Sequence, residues 1–200
     1  MPKPKNPYAK PDRFTQRAKE EGYAARSVYK LSEIDQKYKL LRGAMKVVDL
    51  GCAPGSWSKY ALEHIGRLGV LVGIDLTPVD MAGGIFLQRS IMDVPPEEIQ
   101  ALLGGRADVV LSDMAPLTSG MALTDHVLQL ELATMALDTA KALLNPGGSF
   151  ICKVFDGEDA PAFVLTVRKS FSETKRVRPE AVWSNSKEFF LVCTGFKPGF

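Results

Sequence analysis

The chain predicts an α/β domain with a mostly parallel, seven-stranded sheet and helices on both faces. Three observations predict it. Short apolar runs alternate with segments of helical periodicity over most of the sequence, the pattern of strand–helix–strand units. Two of those runs, Val70 to Asp75 and Ala107 to Asp113, end in an acid. The first run, Lys46 to Leu50, is broken abruptly by Gly51, Pro54 and Gly55, and Ser56 to Ile65 then reads as a helix. Strand, tight turn and helix in that order mark the place where open α/β sheets bind their ligands.

Taken in order, Met1 to Pro11 holds four prolines and three lysines and reads as a basic flexible arm, leaving residues 12–200 as one domain. Asp12 to Glu21 suits a short helix. Ser27 to Tyr38 follows as a second, with Val28, Leu31 and Ile34 on one face. After the glycine turn and its helix come strands at Val70 to Asp75 and Ile85 to Gln88. Pro95-Pro96-Glu97-Glu98 then opens a helix to about Leu103, with prolines and acids where a helix start favours them. Ala107 to Asp113 is the fourth strand. Thr124 or Asp125 is the expected cap of a long helix to Leu144, ended by Asn145-Pro146-Gly147-Gly148. Ser149 to Phe155 is the fifth strand and Pro161 to Phe171 a helix. Glu173 to Val177 and Glu188 to Gly195 are the last two strands.

Composition narrows the class. Two hundred residues suffice to bury a single core. No apolar run approaches the roughly 18 residues of a membrane span, and the start of the chain has no hydrophobic segment of the secretory kind, so a cytoplasmic location and no membrane partner are expected. Cys52, Cys152 and Cys193 lack metal-ligand spacing, and His64 and His126 do not complete a cluster, so buried free thiols and no metal are expected. The net charge of +2 conceals an asymmetry: residues 1–46 hold 12 Lys and Arg against 5 Asp and Glu, leaving the remainder at −5. A basic arm on an acidic body suits a polyanionic partner, although a solvated tail would read the same way.

The glycine turn decides the ligand class. A dinucleotide site wants G-x-G-x-x-G and a P-loop wants a terminal Gly-Lys-Ser/Thr. Asp49-Leu50-Gly51-Cys52-Ala53-Pro54-Gly55-Ser56-Trp57 has neither third glycine nor lysine. It resembles motif I of S-adenosylmethionine-dependent methyltransferases. Asp75, 24 residues past Gly51, stands where nucleotide-binding α/β folds place an acid for ribose hydroxyls. Asp113 falls at a strand edge facing the same crevice. Lys153 lies in the apolar run Phe150 to Phe155, where a lysine is tolerated only if paired, and Asp113 is its nearest expected partner. Glu188 opens the final strand. The absence of G-x-S-x-G speaks against an α/β-hydrolase.

Four stretches in this order carry a family resemblance. They are Arg26-Ser27-Val28-Tyr29-Lys30-Leu31, the glycine turn with Trp57, Leu111-Ser112-Asp113-Met114-Ala115-Pro116, and Pro146 to Phe155, with Ser186-Lys187-Glu188 after them. Nearly end to end, the chain resembles the FtsJ/RrmJ family of RNA ribose 2′-O-methyltransferases, and within it the branch that methylates a uridine in 23S rRNA of the large ribosomal subunit. The resemblance implies a Rossmann-like domain binding S-adenosyl-L-methionine (SAM), and Lys30, Asp113, Lys153 and Glu188 as catalytic residues. It implies a cofactor site lined by Gly51, Gly55, Trp57, Asp75, Ser90 and Asp113. Lys153 would accept the proton of the 2′-hydroxyl or orient it. Where the family has an acid reading adenine, this chain has Ser90, with Asp93 three residues on; arginines usual before the glutamate are replaced around Trp183 and Asn185. Expected partners are large-subunit rRNA, held by the basic N-terminal region, and no obligate protein. The same chemistry on tRNA or an mRNA cap, or a SAM-binding ribosome-assembly factor, are the competing readings.

Overall fold

The computed structural model describes residues 12–116 and 120–199; the predicted arm lies outside them. The elements run α1 (Arg13–Glu20), α2 (Val28–Tyr38), β1 (Lys46–Leu50), α3 (Ser56–Ile65), β2 (Val70–Asp75) and β3 (Ile85–Gln88), then a 3₁₀ turn (Ile91–Asp93), α4 (Pro96–Leu103) and β4 (Ala107–Ser112). They continue with α5 (Ala122–Leu143), β5 (Leu144–Phe155), α6 (Ala160–Ser170), β6 (Phe171–Val177) and β7 (Glu188–Phe196). The seven strands form one sheet in the order β3-β2-β1-β4-β5-β7-β6. Only β7 runs antiparallel to its neighbours. The chain crosses from the β1–β2–β3 half to the β4–β5 half beside β1, so the carboxyl ends of β1 and β4 diverge into a crevice.

The central strands are buried on both faces, as a sheet covered by two helical layers requires. Side chains alternate: Val47, Leu71, Val109, Leu111, Ile151 and Phe190 pack with α2 and α3, while Val48, Leu50, Val72, Val110, Phe150 and Cys152 pack with α4, α5 and α6. This explains why these strands read as continuous apolar runs rather than alternating ones. Asp35 closes α2 by accepting from the Leu40 and Leu41 amides, 2.8 Å each. All three cysteines are free and buried.

The starts of α5 and β5 depart furthest from the expectation, the other boundaries by two residues at most. Helix α5 begins at Ala122, before either expected cap; the Asp125 amide already donates to Met121 O at 3.0 Å. Strand β5 begins at Leu144, so Asn145-Pro146-Gly147-Gly148 lies within a strand instead of separating helix from strand. The turn residues are absorbed as a register shift in the β4–β5 ladder between Ala107 and Val109. Long-range bonds override the local turn preference: Arg106 Nε donates to Leu144 O at 2.8 Å, and Asn145 Nδ2 to Asp108 Oδ1 at 3.0 Å.

Candidate active site

At the crevice beyond β1, β2 and β4 lies a cavity of about 330 Å³, at the lower end of the size usual for small-ligand sites. Gly51 forms its floor in the left-handed region, at φ +75°; a Cβ there would fall 2.6 Å from Met114 Cγ and 3.0 Å from its Cα. Asp75 is fixed from both sides, Oδ2 accepting from the Ala53 amide (2.9 Å) and Oδ1 from Thr77 (2.8 Å). Each oxygen keeps a lone pair for a ligand hydroxyl. Ile74, Leu76 and Ile91 supply apolar wall, Ser90 stands among them, and Asp113 closes the other end. An apolar wall, an acid with lone pairs free for hydroxyls and a second carboxylate for a cation fit SAM.

Asp49, behind the glycine turn, is fully buried. Its Oδ2 accepts from Ser58 Oγ at 2.6 Å, and Oδ1 has no hydrogen-bond partner. Burial, opposed by the Ser58 bond and reinforced by Asp113 and Asp75, pushes its pKa from 3.8 up to about 7. The folded protein therefore holds this proton more tightly than the unfolded chain does. The corresponding stabilisation is complete below about pH 4 and is lost as pH rises through 7, by up to roughly 4 kcal/mol. Asp49→Asn is expected to remove this slope while keeping an acceptor for Ser58. Calorimetric melting temperatures between pH 5 and 8 check it; equal slopes in both proteins would exclude Asp49 as the source.

The four residues expected to act together do converge at the carboxyl rim. Asp113 follows β4 and Lys153 lies on β5, where the ladder continues from the Ser112–Cys152 pair. Lys153 Nζ donates to Asp113 O (2.6 Å) and lies 3.0 Å from Asp113 Oδ1. Glu188 starts β7 opposite Phe155. Lys30, in the first turn of α2, reaches over the sheet to place Nζ 2.6 Å from Glu188 Oε1. Lys153 and Glu188 are 5% and 9% exposed. Burial alone would lower the Lys30 pKa, but the charges of Asp113 and Glu188 outweigh it and hold it above the ordinary value. The tetrad is thus two opposed ion pairs that feel one another.

The loop before Glu188 is built around two arginines. Arg178 donates to the carbonyls of Trp183 (3.2 Å) and Ser186 (2.6 Å), curling the segment back on itself. The Arg26 guanidinium lies 3.8 Å from the Trp183 ring centroid and donates to Ala181 O at 2.6 Å, with Asp12 balancing its charge. Trp183, for which base stacking and packing were both open, stacks on a cation of its own chain.

Of the residues expected to hold the cofactor, Gly51, Asp75, Ser90 and Asp113 line this cavity, whereas Trp57 and Gly55 do not. The Trp57 side chain points elsewhere. It is 3% exposed, packs on Phe190 (centroids 5.7 Å apart) and donates Nε1–H to Ser27 O at 2.8 Å. It faces away because, at the second position of α3, it lies on the stripe that must cover the sheet. There it joins the start of α2, which carries Lys30, to β7, which carries Glu188. Gly55 caps α3 at φ +100°. Ser90 stands in the wall and caps the 3₁₀ turn, while Asp93 is exposed and outside the cavity. Sequence reasoning missed Gln129, buried on α5, whose Nε2 donates to Lys153 O at 2.9 Å; a polar residue one turn past His126 on a face that continues as Ala133, Ala136, Leu137 and Ala140 was its signal. Among the described residues no group of three His, Cys, Asp or Glu is placed to hold a metal, and no helix is long and apolar enough to cross a membrane.

The profile of the FtsJ-like methyltransferase family matches residues 23–196. A ribosomal RNA large subunit methyltransferase E of Sorangium cellulosum is 45% identical over 193 residues, covering 95% of this chain and 90% of that protein. One from Desulfosudis oleivorans is 46% identical over 185 residues, covering 91% and 89%. Among solved structures, a Plasmodium falciparum protein assigned as a ribosomal RNA methyltransferase superposes with TM-score 0.75 at 28% identity, over 87% of this chain and 98% of that one. Aeropyrum pernix fibrillarin, solved with bound SAM, shares the fold at TM-score 0.57 and 15% identity, over 78% of this chain and 68% of its own.

Proposed function

Because the chain belongs to the FtsJ-like methyltransferase family, we propose that it methylates the ribose 2′-hydroxyl of a uridine in the 23S rRNA of the large ribosomal subunit, with SAM as donor. The observation that carries this is the convergence of Lys153–Asp113 and Lys30–Glu188 beside the cofactor cavity. The substrate follows the named activity of relatives more than 40% identical.

Bound in the cavity, SAM would supply a methyl group on a positively charged sulfur. Asp75 would accept from its ribose hydroxyls, Ser90 and the apolar wall would hold its adenine, and Asp113 would face its cationic end. Lys153 commits one N–H to the Asp113 carbonyl and its charge to the Asp113 carboxylate. An ammonium has three donors, so one remains to fix the oxygen of the acceptor hydroxyl. Lys30 and Glu188 hold the opposite side of the acceptor ribose and keep each other's charge compensated.

Labelled SAM incubated with the protein and either large subunits or tRNA, followed by mapping of alkali-resistant linkages, tests this reading. A single 2′-O-methyluridine in 23S rRNA is expected; methylation confined to tRNA, or to a base, would replace the reading. The arm supplies phosphate contacts in this scheme. Removing residues 1–11, with their three lysines, is expected to weaken RNA binding and flatten its dependence on log salt by about 2, with SAM affinity unchanged. An unaltered salt slope would remove the arm from the RNA interface.

A further inference from the structure

A second cavity, of about 460 Å³, opens on the same rim beyond β5 and β7. We propose that it receives the base of the nucleotide whose ribose is methylated, and that His126 holds the hydrogen-bonding edge of that base. The proposal rests on the reading of the protein as an RNA ribose methyltransferase.

Position is the first argument. Phe155 in the cavity wall stands two residues past Lys153 and pairs with Glu188 in the ladder. Ser186, also in the wall, stands two residues before Glu188, and its Oγ accepts from the Glu188 amide at 3.2 Å. The cofactor cavity lies on the β1–β2–β4 half and ends at Asp113. The tetrad therefore separates the two cavities. Displacement at a methyl carbon requires the incoming oxygen to lie opposite the departing sulfur. A nucleoside must then reach the tetrad from the β5–β7 side, where this cavity is.

His126 is the second. It is 7% exposed, lines the cavity, and neither ring nitrogen has a hydrogen-bond partner among the described residues. Asp159 Oδ2 is its nearest charge, 3.9 Å from Nε2 and beyond hydrogen-bond range. Buried polar groups are ordinarily paired, so an imidazole left with both nitrogens unused points to a ligand. Its place is imposed from two directions. Gly157 lets the ring in, since a Cβ there would fall 2.4 Å from His126 Cε1. One helical turn on, Gln129 ties α5 to the Lys153 carbonyl. The imidazole is thus held in register with the catalytic lysine.

Chemistry of the wall selects a base rather than a phosphate. Asp125, Asp156 and Glu158 stand in the wall with Lys187, and Asp156 is paired to Arg176 at 2.6 Å; the remaining excess of acid disfavours a phosphodiester, while Phe155 and Leu123 offer apolar surface for an aromatic face. A neutral imidazole has one donor and one acceptor, which nucleobase edges complement. Unstacked bases held between apolar and hydrogen-bonding side chains are the usual way single-stranded RNA is read.

The chain has two histidines, His64 and His126, so ¹⁵N-labelled full-length protein reports on each ring separately. Titration with a uridine hexanucleotide is expected to shift the His126 ring resonances and not those of His64. The abasic hexamer should leave both in place. With large subunits as substrate, His126→Ala is expected to lower kcat/KM for RNA at least tenfold with SAM affinity within twofold of the parent. His126→Gln, which keeps a donor and an acceptor, should recover most of it. Unmoved His126 resonances together with equal losses in both variants, or unchanged kinetics in His126→Ala, overturn the assignment. A parent enzyme that methylates no RNA ribose would instead refute the functional reading; a His126 shift with the uridine hexamer would still identify a nucleobase site.

Discussion

Lys153→Ala is expected to reduce turnover by about 10²–10⁴-fold, the range for a group acting directly on the transferred proton or its oxygen. That corresponds to about 3–5 kcal/mol of barrier at 1.36 kcal/mol per decade. The loss should fall on kcat, because Lys153 would face the acceptor in the proposed reaction and is not among the residues lining the cavity proposed for SAM. SAM affinity, measured by calorimetry, should stay within a few-fold. Lys153→Arg should not rescue: a planar fork cannot reproduce a tetrahedral ammonium bound at 2.6 Å to the Asp113 carbonyl and 3.0 Å from its carboxylate. Near-parental turnover in the alanine variant would leave Asp113, Lys30 and Glu188 to explain catalysis without an orienting lysine.

Gly51→Ala is expected to weaken SAM binding about 10- to 100-fold, or roughly 1.4–3 kcal/mol, and to lower the melting temperature. The added Cβ meets a flexible atom, Met114 Cγ, at 2.6 Å, but also the Met114 Cα at 3.0 Å. The side chain can swing aside; the backbone can move only by displacing Asp113, its neighbour. A left-handed conformation adds about 1–2 kcal/mol for a residue with a Cβ. Isothermal titration checks the affinity and a thermal melt the fold. Parental SAM affinity in a folded Gly51→Ala protein would mean that the floor of the cavity adjusts, and that the turn is not the cradle described above.

Much of the site was legible because its parts are strand ends. Asp75 and Asp113 stand at or just beyond the carboxyl ends of parallel strands, which such a sheet brings to one rim; Glu188 opens β7 and reaches the same rim because that strand runs antiparallel to β5. Lys153 was legible for a related reason: a charge inside a buried strand needs a partner, and the rim was where one could be found. Trp57 was read differently from its place in the structure. Its motif puts it beside the cofactor turn in sequence, but the 3.6-residue period of α3 turns the ring onto Phe190 and the sheet. Arg26 and Arg178 organise the loop before Glu188 through backbone carbonyls, and acceptors common to every residue leave no pattern in a sequence.

The order of apolar runs, turns and acids determined by itself the α/β class, the succession of strands and the glycine turn after the first of them, because these depend on local periodicity and on where chain reversals are affordable; the four residues of the tetrad came from the family resemblance. Only the tertiary structure decided that Lys30 pairs with Glu188 and Lys153 with Asp113, that Trp57 belongs to the core, and that His126 is buried with no hydrogen-bond partner among the described residues. Pairing and burial are relations between residues distant along the chain, and they come into being only when the sheet order is closed and both of its faces are covered.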